Sequence, residues 1–117
     1  MRKLTLMLGL LSFLAIAGCT TAPPRIGAGL HGPVEDVRAE FDQRVKARFP
    51  VGSDETLLHS ELTLEKFTIT RDKDSPFGFS AIYQSGGIAC VIDWRVRWSK
   101  FEGRVEDIGS GWAQTCL

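Results

Sequence analysis

The chain has 117 residues, 14 basic and 14 acidic, so its formal charge is zero. That balance excludes the basic stripe on which nucleic-acid binding depends, and the length allows a single small domain. Three cysteines and two histidines leave little material for a metal centre.

The first predicted element is a leader. Met1-Arg2-Lys3 precedes an apolar run from Leu4 to Ala17, shorter than the roughly 20 residues that a membrane-spanning helix needs, and residues 1–18 read as a signal peptide. The run closes on Leu14-Ala15-Ile16-Ala17-Gly18-Cys19, which resembles the lipobox of bacterial lipoproteins. The resemblance implies cleavage before Cys19, a diacylglyceryl group on its thiol, and anchoring by acyl chains at about 0.8 kcal/mol per buried methylene. A plain secretory leader with a coincidental cysteine is the alternative. Such lipoproteins are retained in the inner membrane by an aspartate after the cysteine. Thr20 stands there instead, which implies the periplasmic face of the outer membrane. Cleavage removes Arg2 and Lys3, leaving 12 basic against 14 acidic residues and a charge of −2.

Residues 19–32 carry Pro23, Pro24, Gly27, Gly29 and Gly32, a composition that predicts a flexible tether holding the domain some tens of ångströms off the bilayer. The domain is expected over 33–117. Val34, Val37, Phe41, Val45 and Phe49 form one helical stripe. Pro33 suits its first turn, and Glu35 and Asp36 at its start and Lys46 and Arg48 at its end complement its dipole. Pro50 and Gly52 end it. Ser53 is expected to cap a shorter helix with Leu57, Leu58 and Leu62 as its apolar side, stopping by Glu65.

Four strands are predicted next, at 67–71, 77–84, 90–99 and 104–116. The third is the clearest: Cys90, Ile92, Trp94, Val96 and Trp98 alternate with Val91, Asp93, Arg95, Arg97 and Ser99. Such alternation belongs to an antiparallel sheet covered on one face, the cover being the two helices. The expectation is an α+β fold in the order α-α-β-β-β-β, two N-terminal helices on one face of a four-stranded antiparallel sheet. Gly109-Ser110-Gly111 predicts a bulge or bend in the last strand.

With Cys19 lipidated, Cys90 and Cys116 remain as an even pair in an oxidising compartment. A hairpin turning at Glu102-Gly103 reflects position 90 onto positions 114–116, which predicts a disulfide; two buried free thiols are the alternative. His31 and His59 have no catalytic or metal-binding company, and His59 reads as a solvated partner of Glu55. Asp93, Glu106 and Asp107 read as cross-strand partners of Arg95 and Arg97. Trp94 and Trp98 fall on the inward register. Trp112, beside the expected bend, is predicted to be partly exposed, and Arg95, Arg97 and Trp112 form the candidate interaction surface.

The element order, lipobox and Gly52-Ser53 opening of the second helix resemble the small outer-membrane lipoproteins of the SmpA/OmlA (BamE-like) type. Their Gly-x-Pro turn after that helix is absent from Leu64-Glu65-Lys66-Phe67. Phe49-Pro50-Val51-Gly52, the Cys90/Trp94 spacing and Thr115-Cys116-Leu117 resemble uncharacterised proteobacterial lipoproteins more closely. The uncharacterised lipoproteins have no activity to carry over; the functional analogy to the SmpA/OmlA type is an accessory module that binds a protein partner, and the charge balance and lack of a catalytic or ligand set give the expectation of no enzymatic activity, cofactor, metal or nucleic acid. A periplasmic inhibitor or small-ligand-binding lipoprotein is the other expectation.

Overall fold

A computed structural model describes residues 22–117; Cys19 and the leader lie outside the described residues. After a short 3-10 turn at Arg25–Gly27 come α1 (Val34–Arg48), α2 (Glu55–Leu64), β1 (Thr68–Arg71), β2 (Phe79–Gly86), β3 (Cys90–Phe101) and β4 (Arg104–Cys116). The strands form one antiparallel sheet in the order β1-β2-β3-β4, so the α+β fold is as its pattern required.

In α1 the stripe buries Val37, Phe41 and Val45, and Phe49 closes the helix with its amide on the Val45 carbonyl. The cap of α2 differs from expectation. Asp54, not Ser53, accepts the Thr56 amide at 2.8 Å, because the Ser53 hydroxyl is turned back onto the Pro50 carbonyl. Leu58 and Leu62 are fully buried one turn apart, whereas Leu57 falls off that stripe and is exposed.

The β3–β4 hairpin turns at Glu102 (φ 52°) and Gly103 (φ 74°), the two left-handed residues that a two-residue hairpin loop requires. The register then places Trp94 opposite Trp112 and Cys90 opposite Cys116. These cysteines form a disulfide, with Cα atoms 4.0 Å apart. The expected bend at Gly109-Ser110-Gly111 does not occur. The register shift lies at Ser99/Lys100 instead, where Glu106 is skipped and Val105 comes into the core; Lys100, on the same face as Trp98, lies over the Phe79 ring, 3.7 Å from a Glu55 oxygen. Glu55 is thereby buried beneath Lys100 and the Trp98 indole, which donates to it at 3.3 Å, and is no partner of His59.

The expected tether is largely part of the domain. Pro24, Ile26 and Gly27 are buried, and the Gly27 Cα lies so close over Trp94 that a Cβ there would meet the ring at 2.4 Å. Four polar links hold the segment: Tyr83 hydroxyl to the Ala22 carbonyl at 3.0 Å, the Ile26 amide to Glu65 at 2.8 Å, and Arg44 to the carbonyls of Ile26 and Ala28. The physical reason is that Phe41 of α1 covers only part of the Trp94 ring, and Gly27 and the buried Ile26 complete the cover.

Candidate interaction surface

The inner face of the sheet is a closed core. Trp98, Val96 and Ala81 are fully buried, and the Trp94 ring stands edge-on to Phe41 and to Trp112 at centroid distances of 5.2 and 6.2 Å. Trp112 corrects the sequence expectation: it is 9% exposed and belongs to this inner face. Its indole Nε1 is buried without a hydrogen-bond partner among the described residues.

On the outer face the Phe77 ring lies over Gly109, 3.6 Å from where a Cβ would stand, while Gly111 and Ala113 line open space. Opposite the inward series Ile108, Ser110, Trp112, strand β4 presents Gly109, Gly111 and Ala113 outward. Register sets them beside Arg97, Arg95 and Asp93 respectively. Gly111 and Ala113 beside long β3 side chains leave a groove of about 340 Å³, lined by Arg38, Asp93, Arg95, Arg97, Gly111 and Ala113 and bordered by Trp112. The structure therefore brings Arg95 and Arg97 together as expected and replaces an exposed Trp112 by Arg38.

Arg38 comes from the border of the α1 stripe and reaches the edge of the sheet. Its Nε donates to the Trp112 carbonyl at 2.8 Å, using a backbone acceptor of the edge strand that β3 cannot reach. One turn on, Asp42 accepts from the Ser110 hydroxyl at 2.9 Å and pairs with Lys46 at 2.8 Å. Partial burial opposes ionisation of Asp42, but the hydrogen bonds from Lys46 and Ser110, with the Lys46 charge, outweigh it and hold the carboxyl below its ordinary value. The same bond to Asp42 raises the Lys46 ammonium. These links fix α1, and with it Arg38, against β4.

The cross-strand ion pairs expected of Arg95 and Arg97 are absent, since glycines stand opposite both on β4. Asp93 accepts instead from the Gln84 amide at 2.8 Å. None of Arg38, Arg95 and Arg97 forms a salt bridge among the described residues. Three guanidinium groups thus surround a groove holding one carboxylate, a local excess of positive charge on a chain without net positive charge. Planar guanidinium forks of this kind match carboxylates in bidentate geometry.

No group of three or more His, Cys, Asp or Glu side chains is placed to hold a metal ion among the described residues. None of their helices is long and apolar enough to cross a membrane. No family model matches the sequence, and comparison with curated proteins and with solved structures returns no match.

Proposed function

We propose that this chain is a lipid-anchored, periplasm-facing lipoprotein of the outer membrane, non-enzymatic, which binds an acidic surface of a protein partner through the outer face of its sheet. The observation that carries the binding reading is the set of three arginines without carboxylate partners around Gly111 and Ala113. Arginine is enriched where interfaces concentrate their binding energy, and the small side chains at Gly111 and Ala113 let a partner approach the backbone. The anchor reading is supported by the sequence Leu14-Ala15-Ile16-Ala17-Gly18-Cys19, and the SmpA/OmlA-type resemblance supports an accessory role.

Photo-crosslinking in intact cells tests this reading. A photoreactive residue at exposed Ala113, on the groove, should capture a membrane-associated protein, and one at exposed His59, on α2, should not. Equal capture from both positions, or from neither, would contradict it. The groove's volume favours a second reading, capture of a small organic anion. Gly111→Val separates the two, because a Cβ at Gly111 meets only the Arg95 Cβ, at 3.9 Å, and is accommodated. Filling the groove abolishes small-anion binding, whereas a protein that rests on the arginines loses less.

A further inference from the structure

How far the domain can stand from its anchor is set by where the fold begins. Ala22 is already tied to the domain through Tyr83, and three residue steps separate it from Cys19. At about 3.6 Å per residue the two Cα atoms are at most about 11 Å apart. With Cys19 lipidated, its Cα lies near the headgroups, and the domain cannot hover. Part of its surface has to meet the bilayer.

The strand register indicates which part. Tyr83 pairs with Trp94, and Trp94 with Trp112. From that row β2 continues for three residues, to Gly86, before the β2–β3 turn, about 10 Å at about 3.3 Å per residue. In the other direction β3 continues for seven residues, to Phe101, about 23 Å on the same rise. The near end carries Ile88 at 97% exposure, Val91 at 42% and Leu117 at 103%. No charged side chain occurs at 85–92 or 113–117. The far end also exposes apolar side chains, Val51 and Phe101, but these stand among Glu102, Arg104 and Glu106.

We infer that the β2–β3 turn end of the sheet, with Ile88, Val91 and Leu117, rests on the lipid bilayer and inserts its apolar side chains at the headgroup–acyl boundary. Apolar area buried there is favourable, and the β2–β3 turn and the end of β4, whose side chains carry no charge, avoid the desolvation that Glu102 and Arg104 would suffer at the other end. The disulfide joins the two strands of this end, and the Leu117 amide bonds the Ala89 carbonyl at 2.8 Å, so Ile88 and Leu117 move as one unit. The groove, which begins at Asp93 and Ala113, is then held just above the headgroups.

This inference rests on the anchor proposed above, and its test separates the two. The full-length chain, expressed with its leader and purified, is placed in phosphatidylcholine vesicles with or without acyl-chain bromine as a fluorescence quencher. Ile88→Trp and Val51→Trp are compared after subtraction of the parent emission, and intact mass reports the state of Cys19. The expected result is a diacylglyceryl mass, a blue-shifted Ile88→Trp emission lost in brominated vesicles, and a Val51→Trp emission that bromine does not alter. A lipidated chain whose Ile88→Trp emission bromine leaves intact, or whose two probes are quenched alike, overturns the docking and leaves the anchor standing. Cys19 without lipid overturns both.

Discussion

The two faces of β3 are built from alternate residues of one strand and have opposite characters. Ile92, Trp94, Val96 and Trp98 point into a core closed by α1, α2 and the Arg25–Gly27 turn. Asp93, Arg95 and Arg97 point away from it, toward a strand that offers glycine and alanine. On the inner face each large side chain meets another, as Trp94 meets Phe41 and Trp112; on the outer face Arg95 faces the open Gly111 and Arg97 faces Gly109, over which the Phe77 ring lies. Burial thus explains the inner residues completely and the outer ones not at all. Long cationic side chains kept beside unfilled backbone are what a surface for a partner needs.

Adjacent substitutions on β3 measure that contrast. Trp98→Ala, at a fully buried site, is expected to cost about 3–5 kcal/mol, while Arg97→Ala next to it should stay within about 0.5 kcal/mol of the parent. Urea unfolding of the two variants is the check, and similar losses would mean that the outer face is structural after all. Next in size is the disulfide. Opening the 26-residue loop between Cys90 and Cys116 with Cys90→Ser and Cys116→Ser should remove roughly 3 kcal/mol on the chain-entropy account, read as a lower Tm of the double variant than of the oxidised parent.

The N-terminal segment sharpens the comparison from the covered side. Gly27→Val would drive a side chain into the Trp94 ring, and overpacking of this kind costs about 1–3 kcal/mol. Faster proteolysis within residues 22–30, with the sheet intact, is the expected signature; full resistance would show that the segment is not part of the core. The smallest effect is that of pH. Because the folded Asp42 carboxyl titrates below its ordinary value, its ionised form favours the fold. That contribution is present above the unfolded pKa near 4 and is lost as pH falls through the lower folded value. Solvent screening keeps it small. Ser110→Ala removes one of the bonds responsible and should move the Asp42 titration upward in an NMR experiment.

Much of this was legible in the chain. The α+β order follows from a helical stripe ending at Pro50 and four runs of period two, and the cysteine pairing follows from reflection about Glu102-Gly103, where the observed hairpin turns. Trp112 was misread because glycines 109 and 111 carry no side chain to mark the period; the inward series Ile108, Ser110, Trp112 marks it from the other side. Arg38 was missed as a groove residue, although it stands four residues after Val34 and three before Phe41, at the border of the buried stripe from which a long side chain can reach a sheet edge. The segment around Ile26 was read as a tether on its prolines and glycines. Ile26 and Leu30, four apart within it, were the signal that it had something to bury. The expected pairing of Arg95 and Arg97 with carboxylates failed for a simple reason: register, which composition cannot supply, set glycines opposite them.

The central claim is that the outer face is kept for a partner and not for the fold. Arg95→Glu with Arg97→Glu, compared with the parent chain for both thermal unfolding and recovery of the membrane protein crosslinked at Ala113, tests it most directly. The account predicts an unchanged Tm within the scatter of surface substitutions and loss of the crosslinked partner; a partner retained in full by the double variant would contradict it.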